Sequence, residues 1–217
     1  MKLHLGCGQG YLAGYRNIDF PPSEHTVQDK SVADEHADLR LLRYPPASID
    51  EVRLHHVFEH FPRPLACALL ASWHTWLRPG GILHLEVPDF AATAGIILSP
   101  HASQRAKAVA ERHLYGSHEA AWAVHCEGYT PAMLKAIVVA FGFETREIRK
   151  NSWLGTYNFE LIAIRGGCAY RLSEFCARAE EYLRLFLLDD SGSERAMLGV
   201  WLEMFKQQAL RGGVIDG

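Results

Sequence analysis

Short apolar runs ending in glycine or aspartate alternate with helix-period stretches over residues 1–165, the pattern of an α/β domain built on a mostly parallel sheet. Strands are predicted at 2–5, 15–18, 35–37, 51–55 and 82–87, with two later ones at 144–150 and 158–164. Leu65, Leu69, Leu70, Trp73 and Leu77 fall on one face of a helix, and Pro79-Gly80-Gly81 stops it and turns the chain into the next strand. A second helix is predicted from Thr130, a capping residue followed by Pro131 at the first helical position. The last two strands are joined by a hairpin-length connection, so they pair antiparallel.

From Cys168 onward the pattern changes. Leu172, Phe175, Cys176, Ala179, Tyr182, Leu183, Phe186 and Leu187 recur at helical steps until the polar break 189–193, and Met197, Val200, Trp201, Met204 and Phe205 then line a second helix. The expected division is an α/β domain over 1–166 and a helical hairpin over 167–217. That hairpin carries more large apolar groups than two helices alone can bury, which raises a homodimer through these helices as an expectation.

Composition narrows the function classes. Lys and Arg number 22 against 25 Asp and Glu, and no long basic run occurs, so nucleic acid is not an expected partner. No apolar run reaches the ~18 to 20 residues that cross a bilayer, and the start of the chain has no cationic-then-apolar leader pattern. The expected location is the cytoplasm. Five cysteines without a CxxC spacing argue against a disulfide framework and a cysteine-rich zinc site.

The strongest chemical signal is Leu3-His4-Leu5-Gly6-Cys7-Gly8-Gln9-Gly10, a strand running into alternate glycines. Such glycines let the backbone approach a ligand closely. A dinucleotide fingerprint would need a third glycine where Tyr11 stands, and a crossover helix before Asp19 that thirteen residues from Gly6 cannot hold. A pyrophosphate would lose its helix dipole there. S-adenosylmethionine carries no phosphate and a positive sulfonium, so a glycine loop without a full helix suits it better. Asp19 closes the second strand, where a carboxylate can accept from ribose hydroxyls. Asp38 closes the third, placed to accept from an adenine amino group while Leu39 packs on the ring.

With these residues the chain resembles the class I S-adenosylmethionine-dependent methyltransferases, in particular a compact subgroup often associated with surface-glycan and secondary-metabolite pathways. The matching blocks are Leu5-Gly6-Cys7-Gly8, Gly14-Tyr15-Arg16-Asn17-Ile18-Asp19, Ala37-Asp38-Leu39, His56-Val57-Phe58-Glu59-His60, Trp76-Leu77-Arg78-Pro79-Gly80-Gly81 and Val87-Pro88-Asp89-Phe90. Gly128-Tyr129-Thr130 and Phe141-Gly142-Phe143 also fit. The resemblance implies a Rossmann-like seven-stranded sheet of order 3-2-1-4-5-7-6 with strand 7 antiparallel. It also implies S-adenosylmethionine held by Leu5, Gly6, Cys7, Gly8, Asp19, Asp38, Leu39, His55 and His56. The hairpin after Gly167 lies outside it.

His56-Val57-Phe58-Glu59-His60 also spells HxxEH, an inverted zinc-protease motif. That motif needs a long helix, whereas a strand precedes these residues and Pro62 and Pro64 follow, so no metal is expected. A zinc hydrolase therefore ranks third among the readings.

Methyl transfer is an in-line displacement, and a base is needed where the acceptor is a hydroxyl. His56, Glu59, His60, Asp89, His125 and Tyr129 are candidates on the acceptor side, with His60 and His125 preferred as catalytic bases because imidazole titrates near neutral pH. Tyr115, His118, Trp122 and His125 lie in a stretch that can cover the acceptor. The expected activity is methylation of a small-molecule or glycan-type acceptor at oxygen. The competing reading is a non-catalytic binding or scaffold protein that engages a partner through its C-terminal helices.

Overall fold

The computed structural model describes every residue except 26, 28, 29 and 217. Strands β1 (Lys2–Leu5), β2 (Arg16–Asp19), β3 (Glu35–His36), β4 (Ile49–His55), β5 (Leu77–Pro88), β6 (Phe143–Trp153) and β7 (Thr156–Arg165) form one sheet. Their order is β3-β2-β1-β4-β5-β7-β6, with β7 antiparallel to both neighbours. This is the order that the resemblance implies. Among the described residues six α-helices accompany them: α1 (Arg63–Trp76), α2 (Phe90–Leu98), α3 (Gln104–Tyr115), α4 (Pro131–Ala140), α5 (Leu172–Arg184) and α6 (Gly192–Arg211).

Local chemistry sets the element ends. Thr130 caps α4 by accepting from Met133 N–H at 3.3 Å, with Pro131 at the first helical position. Pro79-Gly80-Gly81 does not separate helix from strand as expected. Pairing with β4 begins already at Leu77, skips at a bulge, and resumes with Ile82 opposite Glu51. Gly80 has φ +76°, and a Cβ on Gly81 would sit 2.9 Å from the Arg78 carbonyl oxygen, so the bulge needs both glycines. The β6–β7 connection is tighter than the hairpin-length loop expected: Leu154 and Gly155, both at positive φ, make a two-residue turn.

Helices α1, α4, α5 and α6 form one layer on one side of the sheet. Leu3, Leu5, Ile18, Val52, Leu54, Leu83 and Leu85 point into it and are fully buried. The C-terminal hairpin lies over α1, so that nearly every side chain of that helix is buried. Phe205 packs on Phe141, Trp76 Nε1 donates to the Gly212 carbonyl at 2.7 Å, and Val214 is buried. Tyr182 and Phe205 are therefore satisfied within the chain, while the Arg63 guanidinium lies 3.6 Å from the Phe186 ring centre and 5.6 Å from that of Trp201. The apolar surplus that suggested a second copy is largely absorbed by the chain's own core. No described helix is long and apolar enough to cross a membrane.

Candidate active site

Where β1 ends, the chain enters the left-handed region at Gly6 (φ +67°) and Gly8 (φ +53°). A Cβ on Gly6 would lie 2.4 Å from Val57 Cγ2, while one on Gly8 would meet nothing within 4 Å. The first glycine is required by packing, and the second leaves bare backbone facing a cavity. No helix forms between β1 and β2, and buried Asn17 replaces its ladder. Its Oδ1 accepts from Leu12 N–H at 2.9 Å, and its Nδ2 donates to the Leu12 and Tyr15 carbonyls. Gly6 and Cys7 both donate to the Ile18 carbonyl.

Asp19 is buried at the end of β2 and lines the cavity. Its Oδ2 accepts from Gly8 N–H at 2.7 Å and its Oδ1 from Phe20 N–H at 2.8 Å. The carboxylate thus braces the glycine loop, a role invisible in the local sequence, and keeps further lone pairs toward the cavity. Asp38 also lines it, but both its oxygens receive Arg40 Nε at 2.9 Å. The pair with Arg40 holds the Asp38 carboxyl below its ordinary range against the opposing effect of burial. Asp38 is therefore already engaged, which the strand-end position alone did not reveal. Leu39 is buried beside it.

His55 ends β4, His56 follows it, and both reach the cavity. Burial, together with the neighbouring Arg53, pushes His55 down to about 4, and Arg53 Nε donates to its Nε2 at 2.9 Å. His56 does the opposite. Burial opposes its charge, but Glu59 (3.4 Å) and Glu86 (3.3 Å) outweigh that and raise it to about 9. Its φ of +53° is strained for a side chain with a Cβ, and the two carboxylates hold it there.

A short 3-10 turn over Phe58–His60 then buries Glu59 completely. Burial pushes the Glu59 carboxyl up, but His56, His60 and His125 more than compensate and keep it ionised. His125 arrives from the loop before α4, its Nε2 3.9 Å from Glu59 Oε1 and its ring centre 4.6 Å from that of His60. Burial lowers the His125 pKa, so that ring is neutral near pH 7. The two preferred bases are therefore neighbours although 65 positions separate them.

Two other acceptor-side candidates, Tyr129 and Asp89, and two residues of the expected cover, Tyr115 and His118, do other work. Tyr129 is buried and stacks on Phe58 at 5.4 Å, part of the core. Asp89 caps α2 through Ala92 N–H and pairs with Lys150 at 3.1 Å. Tyr115 is exposed, and His118 bonds its carbonyl. Trp122 does cover the site: its Nε1 donates to the Glu24 carbonyl at 2.8 Å, and its ring meets Phe20 and His25. Phe20 and His25 lie in a segment with no sequence signal for this role.

One cavity of about 1110 Å³ is lined by Gly6, Gly8, Asp19, Asp38, Leu39, His56, His60 and Trp122, whereas His125 stands behind His60 and is not among the lining residues. That volume exceeds what a single drug-sized ligand needs, about 300 to 1,000 Å³, and leaves space for a cofactor and a small second molecule. Residues 3–85 match the family model described as a methyltransferase domain. Over that stretch the chain is similar to methyltransferase domains, and its sheet has the strand order that the class I S-adenosylmethionine-dependent resemblance implies. The stretch matched runs from β1 through most of β5 and contains every expected cofactor residue.

Solved structures share this methyltransferase fold at low identity. A chain from the Haloferax volcanii complex of the Trm112 methyltransferase activator is 14% identical, with a TM-score of 0.54 over 78% of this chain and 83% of that one. The Burkholderia thailandensis 1,6-didemethyltoxoflavin-N1-methyltransferase, solved with its acceptor and S-adenosylhomocysteine, is 18% identical, with a TM-score of 0.51 over 76% and 70%. A protein from Pyrococcus horikoshii OT3 is 15% identical, with a TM-score of 0.50 over 76% and 81%. No curated protein sequence is detectably similar.

The residues present fit the cofactor of this methyltransferase class. Gly8 offers open backbone, Asp19 a buried carboxylate with spare lone pairs, and Leu39 an apolar wall, all on one cavity.

Proposed function

We propose that this methyltransferase acts on an oxygen of a small-molecule or glycan-type acceptor bound beside His60, His125 and Trp122. Continuity of the cavity carries the reading: the glycine loop, Asp19 and Leu39 share one enclosure with His56, His60 and Trp122. When bound, S-adenosylmethionine supplies a methyl group on a sulfonium carbon open to in-line attack. Asp19 accepts from the ribose hydroxyls while it holds the loop through Gly8 N–H. Gly6 and Gly8 leave room for the amino-acid end, and Leu39 packs against the base. His55 and His56 wall the cavity between its two ends.

On the acceptor side, His60 or His125 receives the hydroxyl proton as the acceptor oxygen turns nucleophilic. His60 Nδ1 donates to the Val124 carbonyl at 3.2 Å, which leaves Nε2 as the proton acceptor. Glu59 beneath them stabilises the imidazolium that results. The cavity volume favours a small acceptor, the kind that the Burkholderia enzyme holds.

Calorimetry with S-adenosylhomocysteine tests the cofactor half, and its failure would leave the scaffold reading in place. Single replacements His60→Ala and His125→Ala are expected to lower kcat on a hydroxyl acceptor by about 10² to 10⁴, with cofactor affinity nearly unchanged. Full activity in both would retire proton transfer through this pair, and turnover of amines alone would move the reaction to nitrogen. For self-association, exposed Leu185, Leu188, Val200 and Met204 are what a homodimer would bury. Light scattering at micromolar concentration reads that directly.

A further inference from the structure

The carboxylate of Glu59 is 1% exposed, and neither oxygen has a hydrogen-bond partner. Leaving a buried ionised oxygen unpaired is expensive, so its surroundings indicate what completes it. His56 stands on one side with Nδ1 3.4 Å away, but it shares itself with Glu86. On the other side lie His60 and His125, and one donor atom from each of Glu59, His60 and His125 falls within 4.8 Å of the others. The His60 Nδ1–H is spent on the Val124 carbonyl, so Nε2 carries the free lone pair. His125 turns Nε2 toward Glu59 and sets its ring edge-on to His60, with an interplanar angle of 88°.

We propose that Glu59, His60 and His125 bind a divalent first-row transition ion of the Zn²⁺ class. Two imidazoles and one carboxylate match that class and disfavour Mg²⁺ and Ca²⁺, which take oxygen ligands. Donor distances of about 2.1 Å require the three side chains to close in on the ion. The set differs from the HxxEH reading of the sequence, because His56 supports Glu59 from outside and His125 supplies the third ligand. Three protein ligands leave coordination positions open, and His60 borders the cavity, so those positions face the acceptor space. An acceptor with oxygens to offer the ion is the class that this fits; with their lone pairs on the ion, His60 and His125 no longer take the acceptor proton, so proton transfer through the pair belongs to the ion-free form. That last step rests on the methyltransferase reading above; ion binding does not.

The test uses the full chain stripped of metal by chelation and titrated with Co²⁺, whose visible absorption reports nitrogen ligation, followed by displacement with Zn²⁺. One ion per chain is expected, weakened by about a hundredfold or more in Glu59→Gln, His60→Ala and His125→Ala, while excess Mg²⁺ does not compete. His60→Ala keeps the test meaningful if Glu59→Gln fails to fold, because His60 is only partly buried. No saturable Co²⁺ signal, or one that survives His60→Ala and His125→Ala, would overturn the site. Titrating the same samples with S-adenosylhomocysteine reads the methyltransferase assignment separately, so either can fail alone.

Discussion

Alternate residues of the same strands build the two faces of the sheet, and they are finished in opposite ways. One face is dry: Leu3, Leu5, Val52, Leu54, Leu83 and Leu85 are fully buried under α1, α4 and the C-terminal hairpin. The opposite face carries His4, Asn17, Arg53 and His84 side by side across β2, β1, β4 and β5, with Glu51 and His55 on either side of Arg53. Parallel sheets are usually apolar on both faces because helices cover both. Here the second face is closed by its own side chains. Tyr15 donates to Glu51 at 2.6 Å, Lys2 pairs with Glu51 at 3.1 Å, and His84 pairs with Glu160 at 2.8 Å. The rings of His4, His55 and His84 follow one another at 5.7 and 6.0 Å. Hydrogen bonds and ion pairs between strands thus close the part of this face that α2 and α3, which pack at β7, do not reach, and the difference predicts where stability resides.

The largest effect is expected on the covered face. Phe205→Ala opens a cavity against Phe141 and should cost about 3 to 5 kcal/mol, whereas Glu160→Gln on the polar face keeps the shape and should cost about 1 kcal/mol. Urea denaturation of both variants measures this. Comparable losses would erase the distinction between the faces.

Acid should sharpen it next. Burial, reinforced by Arg165 and Arg178, holds the His74 pKa at about 3, and the ring sits among Phe143, Tyr170 and Phe175 under the hairpin. Its folded pKa lies below the unfolded value of about 6.5, so the unfolded chain binds the proton first. Stability is complete above about pH 6.5 and falls as pH drops toward 3, by at most about 1.4 kcal/mol per pH unit from this group. Denaturation midpoints measured across that window should fall less steeply in His74→Phe. His55 titrates near 4 on the more solvated face, so its share ends earlier and is smaller. An unchanged slope in His74→Phe would place the acid sensitivity on the polar face instead.

At the carboxyl ends of the strands, where the two faces meet the cavity, Asp19→Ala should weaken S-adenosylhomocysteine binding about tenfold to a hundredfold, since a charge-assisted hydrogen bond contributes roughly 1.5 to 3 kcal/mol. Gly8 also loses its anchor, so amide exchange in the glycine loop should rise in the free protein. Unaltered affinity by calorimetry would remove Asp19 from the cofactor site. The smallest effect belongs to the fully exposed pairs at the sheet edge. Glu147→Ala, which breaks the contact with Arg149, should leave the melting temperature unchanged within error.

The candidate site divides along the same line. Its cofactor half rests on neighbours in sequence or on adjacent strand ends: Gly6 and Gly8 after β1, Asp19 closing β2, Asp38 and Leu39 just beyond β3. Its acceptor half is assembled by a loop that returns from far along the chain, where Cys126 and Glu127 N–H both bond the Glu59 carbonyl and bring His125 alongside.

The strand order was legible only through the family resemblance, while local pattern by itself determined the approximate strands, the capped helix at Thr130 and the glycine loop after β1. Each depends on backbone preference or side-chain period over a few residues, and so is written in consecutive letters. Tertiary structure alone decided which partners the charged groups take. Asp19 holds Gly8, Asp38 is engaged by Arg40, Tyr129 and Asp89 turn to core and cap, and His125 meets Glu59 and His60. It also decided that the hairpin covers α1 of its own chain. The physical reason is range. A hydrogen bond or ion pair depends on distances of a few ångströms between groups whose separation along the chain carries no such information, and burial depends on every element packed above.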